Sequence, residues 1–128
     1  MAPIRILFVD DDCALTGLYR LLLTQMGDFV IAEEDEGRRA LETARHFRPD
    51  MIFLDCNLPD KTGAEIAREL RADANLRAVP IAYLTGSLSR AEAASGQLDG
   101  LPALAKPFRS EEFIRLIIAC TPWRLRPK

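Results

Sequence analysis

The sequence predicts an α/β domain: a doubly wound parallel sheet with helices on both faces. Two patterns carry that expectation. Short runs that are apolar at nearly every position recur at residues 4–9, 29–32, 51–54, 79–84 and 101–105, and stripes with helical spacing lie between them. Runs without polar alternation suit strands buried on both faces of a parallel sheet. Five β-then-α units in succession imply the doubly wound arrangement with right-handed crossovers. A third observation concerns function. Asp10 and Asp11, Asp55, Thr85 and Lys106 stand where these runs stop. The carboxyl ends of parallel strands share one edge, and ligands bind in the crevice there. Acids, a hydroxyl and an ammonium far apart in sequence are thereby expected to meet.

The elements follow in order. A stripe at Leu15, Leu18, Tyr19, Leu22 and Met26 marks the first helix, and Gly27 suits a left-handed stop. Asp35 is placed to cap the second helix, whose inner face is Ala40, Leu41, Ala44 and Phe47 and which Pro49 ends. The third strand runs into Asp55, followed by turn-rich loop over 58–63. Ile66, Ala67 and Leu70 give the third helix its apolar side. The fourth strand begins near Pro80, where a missing N–H is tolerable. Ser89 and Glu92 form a capping box for a fourth helix held mainly by Ala91, Ala94 and Leu98, hence weakly gripped. Pro102 marks the fifth strand as an edge strand. The last helix starts at Ser110 and buries Phe113, Leu116, Ile117 and Cys120, with a second apolar line at Ile114 and Ile118.

At 128 residues the chain is expected to be one domain over 1–121 with a short tail over 122–128. A net charge of -2 argues against a nucleic-acid-binding surface spread over the domain. No apolar run is long enough to cross a bilayer and no signal-peptide pattern opens the chain, so a cytoplasmic protein without membrane contact is expected. Cys13, Cys56 and Cys120 lack metal-ligand spacing and are expected to be buried or partly buried thiols. His46 is expected on the surface.

The acids carry the chemistry. Asp10, Asp11 and Asp12 directly follow the first strand. One suffices to cap a helix, and three adjacent carboxylates repel. With Asp55 beside them the cluster calls for a cation, and carboxylates with some water suit Mg²⁺. Lys106 would offset charge and hold a phosphoryl oxygen, and Thr85 before Gly86 offers a hydroxyl. These are the parts of phosphoryl transfer, in which positioning and electrostatics do most of the work. A carboxylate can serve as nucleophile and form an acyl phosphate. Asp55 is the best candidate, because Asp10 and Asp11 are free to hold metal.

The stretches IRILFVDDD, MIFLDCNLPDKTG, PIAYLTGS and LAKPF resemble the receiver domain of two-component response regulators, over about residues 4–120. The resemblance implies a flavodoxin-like five-stranded sheet of order 2-1-3-4-5 with five helices. It implies that Asp55 accepts a phosphoryl group from a sensor histidine kinase or histidine phosphotransfer protein. It makes Asp11, Asp55 and the Asn57 main-chain carbonyl ligands of Mg²⁺, and Asp10 an acid acting through metal-bound water. Thr85 matches the switch hydroxyl and Lys106 its lysine partner. Pro59 and Gly63 match the loop after the acceptor. Asn57 and Ser87, at positions that tune hydrolysis in the family, imply moderate self-dephosphorylation.

One departure stands out. The position three before the lysine, often aromatic in the family, is Ala103, which removes half of the usual switch. Ala103, Ile114 and Ile118, with the weak fourth helix, outline a surface for a downstream protein target, an output domain or a homodimer. Rival readings are a small haloacid-dehalogenase-like phosphatase with Asp10 as nucleophile, and a receiver-like module that binds partners without phosphorylation. The first rests on the D-x-D of Asp10 and Asp12 but finds Ala14 where such enzymes carry Thr or Val. The second fits poorly with a full set of acids and lysine. A flavin protein of the same fold is set aside, since three aspartates would repel its phosphate.

Overall fold

The strands are β1 (Ile4–Val9), β2 (Phe29–Glu34), β3 (Met51–Asp55), β4 (Ile81–Thr85), β5 (Gln97–Leu98) and β6 (Leu101–Ala105). The helices are α1 (Cys13–Met26), α2 (Ala40–Phe47), α3 (Gly63–Ala72) and α4 (Ser110–Cys120), with a 3₁₀ turn over Gly37–Arg39. The computed structural model describes residues 3–86, 97–98, 100–106 and 109–121. The expectations for Ser87, for the helix start at Ser89 with Ala91, Glu92 and Ala94, and for the tail lie outside the described residues.

The strands form one sheet in the order β2-β1-β3-β4-β6-β5. The first five in that order run parallel, as the sequence predicted, and β5 joins β6 antiparallel. One core layer sets Leu7, Val9, Ile52, Leu54 and Tyr83 against Ala40 and Ala44 of α2 and Ile66 and Leu70 of α3. The opposite layer sets Ile6, Phe8, Met51, Phe53 and Leu84 against Tyr19 and Leu23 of α1 and Phe113 and Ile117 of α4. In that layer the rings of Phe8 and Phe53 stack at 5.3 Å and those of Phe53 and Phe113 meet at 4.9 Å. Such pairs add about 0.5–1.5 kcal/mol each beyond burial. Among the described residues no helix is long and apolar enough to cross a membrane.

Several expectations are corrected. The sheet has six strands among the described residues, because Leu98, assigned by sequence to a helix face, pairs with Leu101 in a hairpin whose turn puts Gly100 at φ 78°. A positive φ is where glycine is favoured. β6 therefore closes the parallel part of the sheet but is not its outermost strand, and Pro102 faces Gln97 of β5. Leu18 points to solvent, 59% exposed, while Leu23 takes the inner position. Gly27 ends α1 in extended backbone, not left-handed. The left-handed stop occurs instead at Arg48 after α2. β4 starts at Ile81, with Val79 and Pro80 before it. Cys13 is exposed, whereas Cys56 and Cys120 are half-buried, all three as free thiols. Leu116 and Cys120 are likewise half-buried, packed against the aromatic layer.

Candidate functional site

Strand register builds the site. Val9 pairs with Leu54, so one residue further Asp10 and Asp55 come side by side at the carboxyl edge. Asp55 pairs with Leu84 on the other side, and Thr85 with Ala105. The Lys106 N–H then donates to the Thr85 carbonyl at 2.7 Å, which brings the lysine onto the same edge. Four strands thus deliver the five residues singled out in the sequence. Gly63 opens α3 so close to β3 that a Cβ there would lie 2.9 Å from the Asp55 carbonyl oxygen and the Cys56 Cα. Only glycine lets the helix begin this near the acceptor strand.

Carboxylate oxygens of Asp10, Asp11 and Asp55 all lie within 4.8 Å of one another. Asp10 and Asp55 are buried and Asp11 is exposed at the mouth. Lys106 Nζ stands 2.7 Å from Asp10 Oδ2 and 3.8 Å from Asp55 Oδ2. Main-chain N–H groups donate to the remaining oxygens, Asp12 to Asp10 Oδ1 at 3.0 Å and Asn57 to Asp55 Oδ1 at 3.2 Å. Burial pushes the Asp55 carboxyl above its ordinary range; the Asn57 N–H and Lys106 oppose this, and Asp10 and Asp11 add to it. For Lys106 burial works downward, but the hydrogen bond and charge of Asp10 and the charge of Asp55 outweigh it and hold the ammonium above its usual value. Tyr19, beneath the acids, is raised by burial and then by Asp10 and Asp12, so its phenol stays protonated.

Among the described residues one ammonium faces three converging carboxylates, two of them buried. Hard oxygen donors with an unbalanced negative charge and an open side at Asp11 fit Mg²⁺. Asp12 takes no part in that cluster. Its side chain caps α1 by accepting from the Leu15 N–H at 3.1 Å. The three consecutive acids therefore divide into a lysine partner, an exposed acid and a helix cap, and the D-x-D pattern does not form one site.

Asn57 is exposed and pairs with Thr62 across the loop that follows β3. Thr85 is buried at the strand end. Ala103, expected in the switch surface, is buried in the core opposite Tyr83, so the aromatic ring on this face stands one strand over. Ile114 and Ile118 are half-buried against the aromatic layer. His46 is exposed, as expected. The sequence reading missed Asp60, whose carboxylate accepts from the N–H groups of Gly37 and Arg38 at 3.0 and 2.8 Å. No local pattern could have found it, because its partners lie 22 and 23 residues away. It also takes the capping place expected of Asp35.

An acidic, lysine-bridged pocket at the carboxyl edge of a doubly wound sheet defines a class of small signalling folds. Residues 6–118 match the response regulator receiver domain, and the chain belongs to that family. Its members are signalling domains of two-component systems rather than classical enzymes. The DNA-binding response regulator MtrA of Mycobacterium tuberculosis is 35% identical over 116 residues, 90% of this chain and 49% of that protein. The chain thus spans about half the length of the MtrA relatives it matches. Chemotaxis protein CheY of Pseudomonas aeruginosa is 32% identical over 110 residues, 84% of this chain and 87% of that one. Among solved structures, chemotaxis protein CheY4 of Vibrio cholerae superposes with a TM-score of 0.80 at 28% identity, covering 93% of this chain and 99% of that one. The receiver domain of sensor histidine kinase PA1611 from P. aeruginosa, with magnesium coordinated in its active-site cleft, gives a TM-score of 0.78 at 30% identity, covering 93% and 98%.

Proposed function

We propose that the chain is a phosphoaccepting receiver, with residues 1–121 as the receiver unit, working in the cytoplasm. The convergence of Asp10, Asp11 and Asp55 under a single lysine is the observation that carries this reading. An Asp55 carboxylate oxygen attacks the phosphorus of a phosphohistidine on a sensor histidine kinase or histidine phosphotransfer protein. The P–O bond forms as the P–N bond breaks, the imidazole keeps the electron pair, and an acyl phosphate results.

Asp10, Asp11, Asp55 and the Asn57 carbonyl are the groups that would hold Mg²⁺, which when bound neutralises charge on the phosphoryl oxygens. Lys106, tied to Asp10, has Asp55 within 3.8 Å and can follow the charge onto the phosphoryl group. Thr85 offers its hydroxyl on the same edge. Asn57 and Ser87 set the lifetime of the acyl phosphate. The signal leaves through the β5–β6 edge and α4, with Ile114 and Ile118 against a target, an output domain or a second copy. A phosphorylation-independent module is the second reading, favoured only by Ala103.

Intact mass after incubation with Mg²⁺ and acetyl phosphate tests the proposal. The native chain should gain one phosphoryl group and Asp55→Asn none. No uptake by the native chain would move the assignment to the second reading.

A further inference from the structure

The loop of residues 56–62 joins Asp55 to α3 and carries the Asn57 carbonyl. At its base the Gly63 N–H donates to the Cys56 carbonyl at 2.8 Å, and Asn57 pairs with Thr62. Lys61 reaches along α3 to Glu69 at 2.5 Å. All of these ties are internal to the loop and its own helix. At the tip Asp60 does something different. It receives the two consecutive N–H groups that open the 3₁₀ turn leading into α2, one on each carboxylate oxygen. Consecutive free N–H groups at a helix start favour an anion, and here the anion comes from a different element.

The sheet order gives that contact its consequence. β1 lies between β2 and β3, so a tie from the loop after β3 to the turn after β2 spans the end of β1, where Asp10 and Asp11 emerge. The packing around it is tight. A Cβ on Gly37 would lie 3.0 Å from Asp60 Oδ1, 3.0 Å from Lys61 Cβ and 3.1 Å from Ile66 Cδ1. The Arg38 N–H holds the Asp60 carboxyl below its usual range, so it is ionised at neutral pH.

We infer that Asp60 is a positioning residue for the cation site: its clamp on Gly37 and Arg38 fixes the loop that carries Asn57, whose N–H meets Asp55 Oδ1 at 3.2 Å and whose carbonyl is the ligand proposed above. The inference rests on the Mg²⁺ site proposed above. Mg²⁺ demands near-ideal octahedral geometry, whereas Ca²⁺ accepts flexible, irregular coordination. Loosening one ligand should therefore weaken Mg²⁺ more than Ca²⁺, an asymmetry that a general loss of stability does not produce.

The test is calorimetric titration of the full chain, without phosphodonor, with Mg²⁺ and with Ca²⁺. Asp60→Ala should weaken Mg²⁺ about tenfold, equivalent to about 1.4 kcal/mol, and Ca²⁺ about threefold or less. Asp60→Asn, which keeps one acceptor oxygen, should fall between native and Asp60→Ala and serves if the alanine variant does not fold. Arg45→Ala breaks the ion pair with Asp73 at the other end of the molecule and should leave both affinities at the native level. Unchanged Mg²⁺ affinity in Asp60→Ala, or equal losses for both ions, overturns the positioning role. Failure of the underlying site looks different: the native chain would bind no Mg²⁺, or Asp55→Asn would bind it as well as native.

Discussion

Asp10, Asp11 and Asp55 bring carboxylate oxygens within 4.8 Å of one another, and Glu34, Asp35 and Glu36 do the same at the end of β2. The two groups are alike in number and spacing but not in what surrounds them. Glu34 accepts from the Thr43 hydroxyl at 2.6 Å and from the Glu36 N–H at 3.1 Å, with Arg39 at 3.8 Å. Glu36 is paired with Arg38 at 2.9 Å and Arg39 at 3.3 Å. Among the described residues two guanidiniums thus face three carboxylates there, against one ammonium at the first group. The titration directions follow. Hydrogen bonds from Arg38 and then Arg39 hold Glu36 below its ordinary range, while burial and like charge push Asp55 above. Neighbouring acids invite a cation where burial and a shortage of counter-charge leave their negative charge unbalanced.

Removing the one cation of the first group should break the comparison most strongly. Lys106→Met leaves Asp10, whose side chain is fully buried, without its ammonium. Breaking a buried charge pair from one side costs about 3 kcal/mol. Urea denaturation should show that loss in a chelator and a much smaller one in excess Mg²⁺, since a bound cation replaces the missing charge. An equal loss in both conditions would mean that Lys106 acts only as a packing and hydrogen-bonding partner.

Asp55→Asn should do the reverse. A carboxyl whose folded pKa is raised binds its proton more tightly in the native state, so it penalises folding once pH has risen through that pKa. The penalty is absent below the unfolded value and complete above the folded one. In chelator at neutral pH, Asp55→Asn should therefore stabilise the chain. The gain should fade as pH falls toward the carboxylate range. Thermal melts across that range would check it, and a destabilised variant at neutral pH would contradict the strained-acid picture.

How much of this was legible in the sequence depends on where each signal sits. The strand ends were, because Ile4–Val9 is apolar except at Arg5 and Met51–Asp55 is apolar up to its acid, and register does the rest. The outward turn of Leu18 was not: Leu21, Leu22 and Leu23 are consecutive, so periodicity alone cannot choose which of them faces the core. β5 is two residues long, too short for any pattern. Asp35 looked like the cap of α2 by proximity, yet Asp60 supplies those contacts across the fold. Local chemistry was readable, and partners brought together by topology were not.

The smallest effect is expected at the second group. Glu36 lies below its ordinary pKa in the folded chain, so its pairing with Arg38 and Arg39 contributes stability above the unfolded value that is lost as pH falls through the folded one. The pairs are solvent-exposed, where such contacts contribute little and salt screens them. Glu36→Gln should accordingly lower the melting temperature slightly at neutral pH, opposite in sign to Asp55→Asn, with the difference vanishing at high salt. Mg²⁺ affinity should stay within about twofold of native, the spread expected for a surface charge. A larger fall would mean that the second group already feels the cation at the first, and that counter-charge from Arg38 and Arg39 does not isolate it.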